Sequence, residues 1–156
     1  MQFPVKYNCL IKNEFVAGDF KIVPIRYKDR FTIMKWRNEQ MYHLRQDELL
    51  TEKSQDNYFN GTVVKIFGQQ KPNQLLFSFL KNEKLIGYGG LVHINWKDKN
   101  AEISFIMDTK LEEKFFQFHW SNFLKLIERL AFGELDLYKI YVYAFDLRPH
   151  LYKILK

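Results

Sequence analysis

The chain has 156 residues, 47% hydrophobic and 27% charged, the balance of one folded domain rather than of a disordered or fibrous chain. No apolar run reaches the length of a membrane-spanning helix, and the single cysteine, Cys9, excludes an internal disulfide and a thiolate zinc cluster. The net charge of +6 is dispersed and mixed with acids, which points to a small phosphorylated ligand rather than a nucleic-acid backbone.

Residues 1–6 lack the apolar core of a signal peptide, so the expected compartment is the cytoplasm. Residues 7–12 and 19–26 read as strands, with Gly18 available for the turn between them. From Asp29, which suits an N-cap, the pattern turns helical, and Phe31, Met34 and Trp36 fall near turn spacing. Thr51 suits the cap of a second helix whose apolar positions are Tyr58, Phe59, Val63, Ile66 and Phe67, ended by Gly68 and Pro72. Three strands follow over 75–80, 85–96 and 101–107, joined by the polar turns 81–84 and 97–100. Gly87, Gly89 and Gly90 interrupt the middle strand, where they mark a bulge or a close backbone approach rather than phosphate binding. In the last strand Ala101, Ile103 and Phe105 point one way, and Glu102 and Ser104 the other.

Phe116, Trp120, Phe123, Ile127 and Leu130 then recur at helical spacing, widened by Leu124 and Ala131 and closed by Gly133. Residues 139–145 read as a strand, and 151–156 as the opening of a last helix after Pro149. The order predicts an α/β domain with a mixed sheet and helices on both faces. Hairpins form its antiparallel middle, and the long helix crosses to a parallel neighbour.

Several landmarks share one order and spacing over nearly the whole chain. They are Ile25-Arg26 with Asp29, Trp36-Arg37-Asn38, Asn57-Tyr58-Phe59, Ile86-Gly87-Tyr88-Gly89-Gly90-Leu91, Ala101-Glu102-Ile103-Ser104-Phe105 and Ala131-Phe132. This arrangement resembles the GNAT superfamily of N-acetyltransferases, in particular the branch of ribosomal-protein and nucleotide-amino-sugar N-acetyltransferases. The resemblance implies a single acetyltransferase-like domain over 1–156 that lacks its last hairpin. It also implies two neighbouring strands that splay apart to take the pantetheine arm of acetyl-CoA against the backbone of Phe105, Ile106 and Met107. The pyrophosphate is then expected at the start of the long helix.

Two departures from the family pattern stand out. Where the family's phosphate loop carries Arg or Gln and two glycines, residues 110–117 hold no glycine and two acids; Lys114, His119 or Lys110 could supply charge in place of loop amides, and Glu112 and Glu113 would oppose it. Counting along the family pattern places Arg148 where an Asn is usual and Leu155 where a thiolate-protonating Tyr is usual, with Tyr152 one turn earlier. These departures keep open a degenerate member that binds a ligand or partner without catalysis.

Acetyl transfer needs a neutral amine, a donor for the developing oxyanion and a proton route for the thiolate. Glu102 matches the Glu of the family's Ala-Glu-Ile pattern and is the first candidate base, with an orienting or salt-bridging carboxylate as its structural alternative. His93, on the adjacent strand, is the second candidate, against a satisfied structural histidine. Trp36, Arg37 and Asn38 are expected on the acceptor side, and Arg37 or Arg45 can pair with a carboxylate or nucleotide phosphate. Core packing is the simpler role for Trp36, and for Tyr58 and Phe59 beside stacking on a sugar or base. The expected acceptor is a primary amine, first a nucleotide-linked amino sugar and next a peptide or ribosomal-protein N-terminus. No nucleic acid or membrane partner is expected, and exposed sheet edges suit a homodimer.

Overall fold

The computed structural model describes residues 2–41, 44 and 46–142. Its elements in chain order are β1 (Phe15–Ala17), β2 (Phe20–Pro24), a 3-10 turn (Tyr27–Asp29), α1 (Arg30–Glu39), α2 (Glu52–Asn57), a π-helical turn (Tyr58–Val63) and α3 (Val64–Phe67). Then come β3 (Leu75–Lys81), β4 (Lys84–Asn95), β5 (Asn100–Met107), α4 (Thr109–Glu128), a second π-helical turn (Arg129–Glu134) and β6 (Lys139–Tyr141). The six strands form one sheet in the order β1-β2-β3-β4-β5-β6, antiparallel up to β5, with β5 and β6 parallel across α4. This is the mixed sheet that the element order predicts. Among the described residues no helix is long and apolar enough to cross a membrane.

Strand alternation assigns the two faces. Phe20, Phe79 and Phe105 meet Phe116, Trp120 and Phe123 of α4 in a web of tilted and edge-on rings, with Phe105 and Phe123 centroids 4.5 Å apart. The opposite face carries Leu76, Ser78, Tyr88 and Ser104 beneath α1, α2 and the first π-helical turn. Leu126, at no exposure, joins the α4 stripe, whereas Leu124 is only half-buried. On α1 the buried positions are Ile33 and Trp36, followed by buried Gln40 at its C-cap; Phe31 and Met34 lie half-exposed beside them.

Local chemistry sets the boundaries. Thr51 and Ser54 form a reciprocal capping box at the start of α2. Asn82 and Glu83 adopt φ of 50° and 67°, which closes the β3–β4 hairpin in two residues. Asp29 precedes α1 as expected, but its carboxylate caps nothing. It accepts from the Arg26 fork at 2.7 and 3.1 Å and from the buried Ser78 hydroxyl at 2.8 Å, locking the corner between sheet and helix.

Residues 7–12 are not a strand. Tyr7 and Leu10 are buried three residues apart in a turn, with the Leu10 N–H donating to the Tyr7 carbonyl at 3.1 Å. The Tyr7 hydroxyl then bridges β3, donating to the Leu76 carbonyl at 2.6 Å and accepting from the Leu76 N–H at 3.1 Å. Burial lifts this phenol far above its ordinary pKa, so it stays a neutral donor and acceptor. The readings at 143–145, Pro149 and 151–156 lie outside the described residues.

The glycines of β4 are required by close approach. A Cβ on Gly89 meets the Ser104 carbonyl oxygen at 2.0 Å; one on Gly90, at φ +154°, meets the Leu75 carbonyl oxygen at 1.9 Å. Gly89→Ala and Gly90→Ala are therefore each expected to lower unfolding free energy by at least about 2 kcal/mol in denaturant titrations. Gly61→Ala, a site with open space, is the control and should change it by under about 1 kcal/mol.

Candidate functional site

A cavity of about 360 Å³ opens on the α1–α2 face of the sheet. Leu76, Tyr88, Val92 and Ser104 form its floor, and Arg37, Ser54, Gln55 and Tyr58 are among the helical residues of its wall. The floor exists because Tyr88 lies between Gly87 and Gly89, in a stretch of β4 pressed against β5. Ser104, opposite Gly90, brings β5 itself into the cavity.

Arg37 is the one charged side chain among the described lining residues. It donates from Nη1 to the Tyr88 hydroxyl at 2.8 Å and from Nε to Gln46 Oε1 at 3.2 Å, both neutral partners. The neighbouring Tyr88 oxygen holds the guanidinium charge more firmly than usual. Burial pushes the Tyr88 phenol above its ordinary value, and Arg37 only partly offsets this. Tyr88 therefore keeps its proton. Because its oxygen already accepts from Arg37, that proton is available to a ligand in the cavity.

Asn38 does not face the cavity's contents. Its Oδ1 accepts from the Leu50 N–H at 2.8 Å and from Gln46 Nε2 at 2.9 Å, and its Nδ2 donates to the Leu50 carbonyl at 3.0 Å. It pins the segment that brings Gln46 to Arg37 and Leu50 to the cavity wall. Trp36 is buried in the core.

Glu102 lies on the same face of β5 as Ser104, opposite Val92, with a side chain only 12% exposed. His93, at φ 49° in the β4 irregularity, is swung outward to 64% exposure, yet its Nε2 comes within 4.0 Å of Glu102 Oε1. The two residues nominated as bases thus approach each other on β4 and β5, next in register to Val92 and Ser104, although neither lines the cavity itself.

The start of α4 is tightly closed. The Asp108 carboxylate accepts from the Lys110 N–H at 2.9 Å, and its carbonyl accepts from the N–H groups of Leu111 and Glu112 at 2.9 and 3.0 Å. Gln40 Nε2 donates to the Met107 carbonyl at 2.8 Å and to Thr109 Oγ1 at 3.1 Å, and the Thr109 hydroxyl donates to Glu39 at 2.6 Å. The stretch 110–117 is helix throughout, not a loop.

Residues 22–146 match the family model described as the acetyltransferase (GNAT) domain. The chain belongs to the GNAT acetyltransferases. No curated protein matches it by sequence. Among solved structures, this GNAT fold is similar to spermidine N-acetyltransferase from Vibrio cholerae in complex with CoA and spermine. That match has 18% identity and a TM-score of 0.72, covering 89% of this chain and 79% of that one. Mutant forms of the spermidine/spermine N-acetyltransferase of that organism match at 15% identity and TM-score 0.68, covering 89% and 77%. A dodecameric, intermediate-state structure of the enzyme matches at 18% identity and TM-score 0.65, again covering 89% and 77%.

Acetyl-CoA is the acyl donor of the GNAT acetyltransferases. The described site fits one part of it and not another. An extended β5 whose Ser104 opens into the cavity suits the amide-bearing arm, since a thioester along that strand lies beside an amine in the cavity. The open amides of the helix start, those of Lys110 and Leu111, do not suit the diphosphate, because Asp108 already engages them. The β5–β6 register covers Asn100 to Glu102, and the continuation of β6, where the two strands are expected to diverge, lies outside the described residues.

Of the other residues nominated for the cofactor, Lys114 is exposed on α4. His119 is buried between Phe20 and Phe118, its Nδ1 without a hydrogen-bond partner. Arg45, Arg148 and Tyr152 lie outside the described residues. Sequence reasoning left out Tyr88, Gln40 and Asp108 as functional positions. Only Tyr88 had a signal, as the one large side chain in a glycine-rich run.

Burial, reinforced by Lys81, lowers the His119 pKa below its ordinary value. The unfolded chain then binds a proton that the folded chain refuses, so stability must fall as pH drops below about 6.5. Urea titrations between about pH 7 and pH 5 should show a smaller acid loss for His119→Phe than for the native chain. Equal slopes would remove His119 from the acid response.

Proposed function

We propose that this chain transfers an acetyl group from acetyl-CoA to the primary amine of a small acceptor that also carries an anion, seated in the cavity against Arg37. A nucleotide-linked amino sugar is the acceptor class we favour, as in the amino-sugar branch of the superfamily. In this reading residues 1–156 act as one acetyltransferase-like domain in the cytoplasm.

One observation carries the proposal. Among the described residues, a half-buried guanidinium faces the cavity with neutral hydrogen-bond partners and no carboxylate lines that cavity. An unneutralised charge held in a pocket is stabilised by a ligand of opposite sign. A polyamine acceptor, of the kind named for the similar solved structures, meets the wrong sign here. Two like unit charges about 8 Å apart repel by about 2 kcal/mol at an effective dielectric near 20.

Acetyl-CoA, when bound, supplies an acyl carbon activated as a thioester. The backbone of Phe105, Ile106 and Met107 is the part of this chain we assign to its arm. The Arg37 fork and the Tyr88 proton orient the acceptor's anion and sugar hydroxyls. Glu102 accepts the proton of the amine, directly or through a water, and His93 at the exposed rim relays it to solvent. Trp36 and Asn38 hold these groups in place from behind.

The test is thiol release from acetyl-CoA over paired amines, such as an amino sugar with and without a phosphate, with spermidine as the polycation. The phosphorylated member should exceed its partner in kcat/KM by about tenfold or more, and Arg37→Gln should erase that difference mainly through KM. Glu102→Gln should lower kcat by roughly 100-fold with the acceptor KM little changed. Preference for spermidine, or a phosphate effect untouched by Arg37→Gln, would refute the assignment.

A further inference from the structure

The start of α4 is built to repel an anion. Two of the amides that a helix start leaves open, those of Lys110 and Leu111, are engaged by Asp108, through its side chain and its carbonyl. Beside that turn stand the Asp108 carboxylate and Glu39, which accepts from the Thr109 hydroxyl. Lys110 is the opposing cation on the same turn. A phosphate arriving here must displace a carboxylate from its N-cap and then sit among carboxylates. At the other end of the presumed donor path nothing comparable obstructs the cavity, which Ser104 opens directly onto β5.

We propose that this chain holds its acyl donor by the pantetheine arm and not by the diphosphate, and that Asp108 sets this selectivity. A thioester donor lacking the diphosphate and nucleotide is then bound nearly as well as acetyl-CoA. The inference rests on the transferase reading above. It extends that reading from the acceptor to the class of acyl carrier: any extended pantetheine thioester that can lie along β5.

Calorimetric titration with coenzyme A and with pantetheine tests this without relying on turnover. The native chain should bind the two with dissociation constants within about tenfold of each other. Asp108→Ser keeps an N-cap oxygen while removing the charge. It should tighten coenzyme A by about fivefold and leave pantetheine unchanged. Coenzyme A binding more than about tenfold tighter than pantetheine to the native chain overturns the inference and leaves the transferase reading standing. An Asp108→Ser chain with unaltered coenzyme A affinity removes Asp108 as the determinant. Binding of neither ligand overturns the transferase reading and this inference with it. Should Asp108→Ser fail to fold, the native ratio alone decides.

Discussion

Everything functional in this molecule is arranged around one constraint, the crowding of β4 between its neighbours. At Gly89 the β5 backbone, and at Gly90 the β3 backbone, occupy the space a side chain needs. The only large side chain in that stretch, Tyr88, is therefore forced to one face of the sheet, where it becomes the floor of the cavity. The opposite face is filled by the aromatic web between β2, β3, β5 and α4, which fixes the sheet from behind. A rigid sheet with a hollow on one side is what an acyl transfer between an extended donor and a small amine requires.

Charge then gives the hollow its character. Arg37 reaches the cavity from α1 and finds a phenol and an amide rather than a carboxylate. Two other arginines near the sheet are neutralised, Arg26 by Asp29 and Arg30 by Asp56, while Arg129 donates to the Val16 carbonyl at the edge strand. The same logic read in reverse applies at α4, where carboxylates gather at the end of a helix that ordinarily welcomes anions. In the proposed reading, the acceptor and donor ends of the site carry opposite signs.

Much of the fold is legible locally because its signals are local. The Thr51 capping box, the two-residue turn at Asn82 and Glu83, and the spacing of Phe116, Trp120, Phe123 and Ile127 each depend on residues within a few positions. Tyr7 misleads because its partner lies far away. Its burial reflects a hydroxyl clipped to Leu76, sixty-nine residues on, and alternating apolar residues around it imitate a strand. Residues 110–117 mislead for another reason. Their position suggests a phosphate loop, but the missing glycines, the Lys and Glu content and the Asp108 cap all favour continuous helix. Of the residues nominated from the sequence, Arg37 does line the cavity. The pairing of Arg37 with Tyr88 spans fifty-one residues and becomes visible only when α1 lies over β4.

The central claim is that the Arg37–Tyr88 pair receives the acceptor's anion while its amine is presented to β5. The direct measurement is a crystal structure of the chain with coenzyme A and the best-turned-over amine. The account predicts the anion within hydrogen-bond distance of the Arg37 guanidinium and the Tyr88 hydroxyl, with the amine pointing at Ser104 and Glu102. An acceptor bound elsewhere, with Arg37 still held by Gln46 and Tyr88 alone, contradicts it.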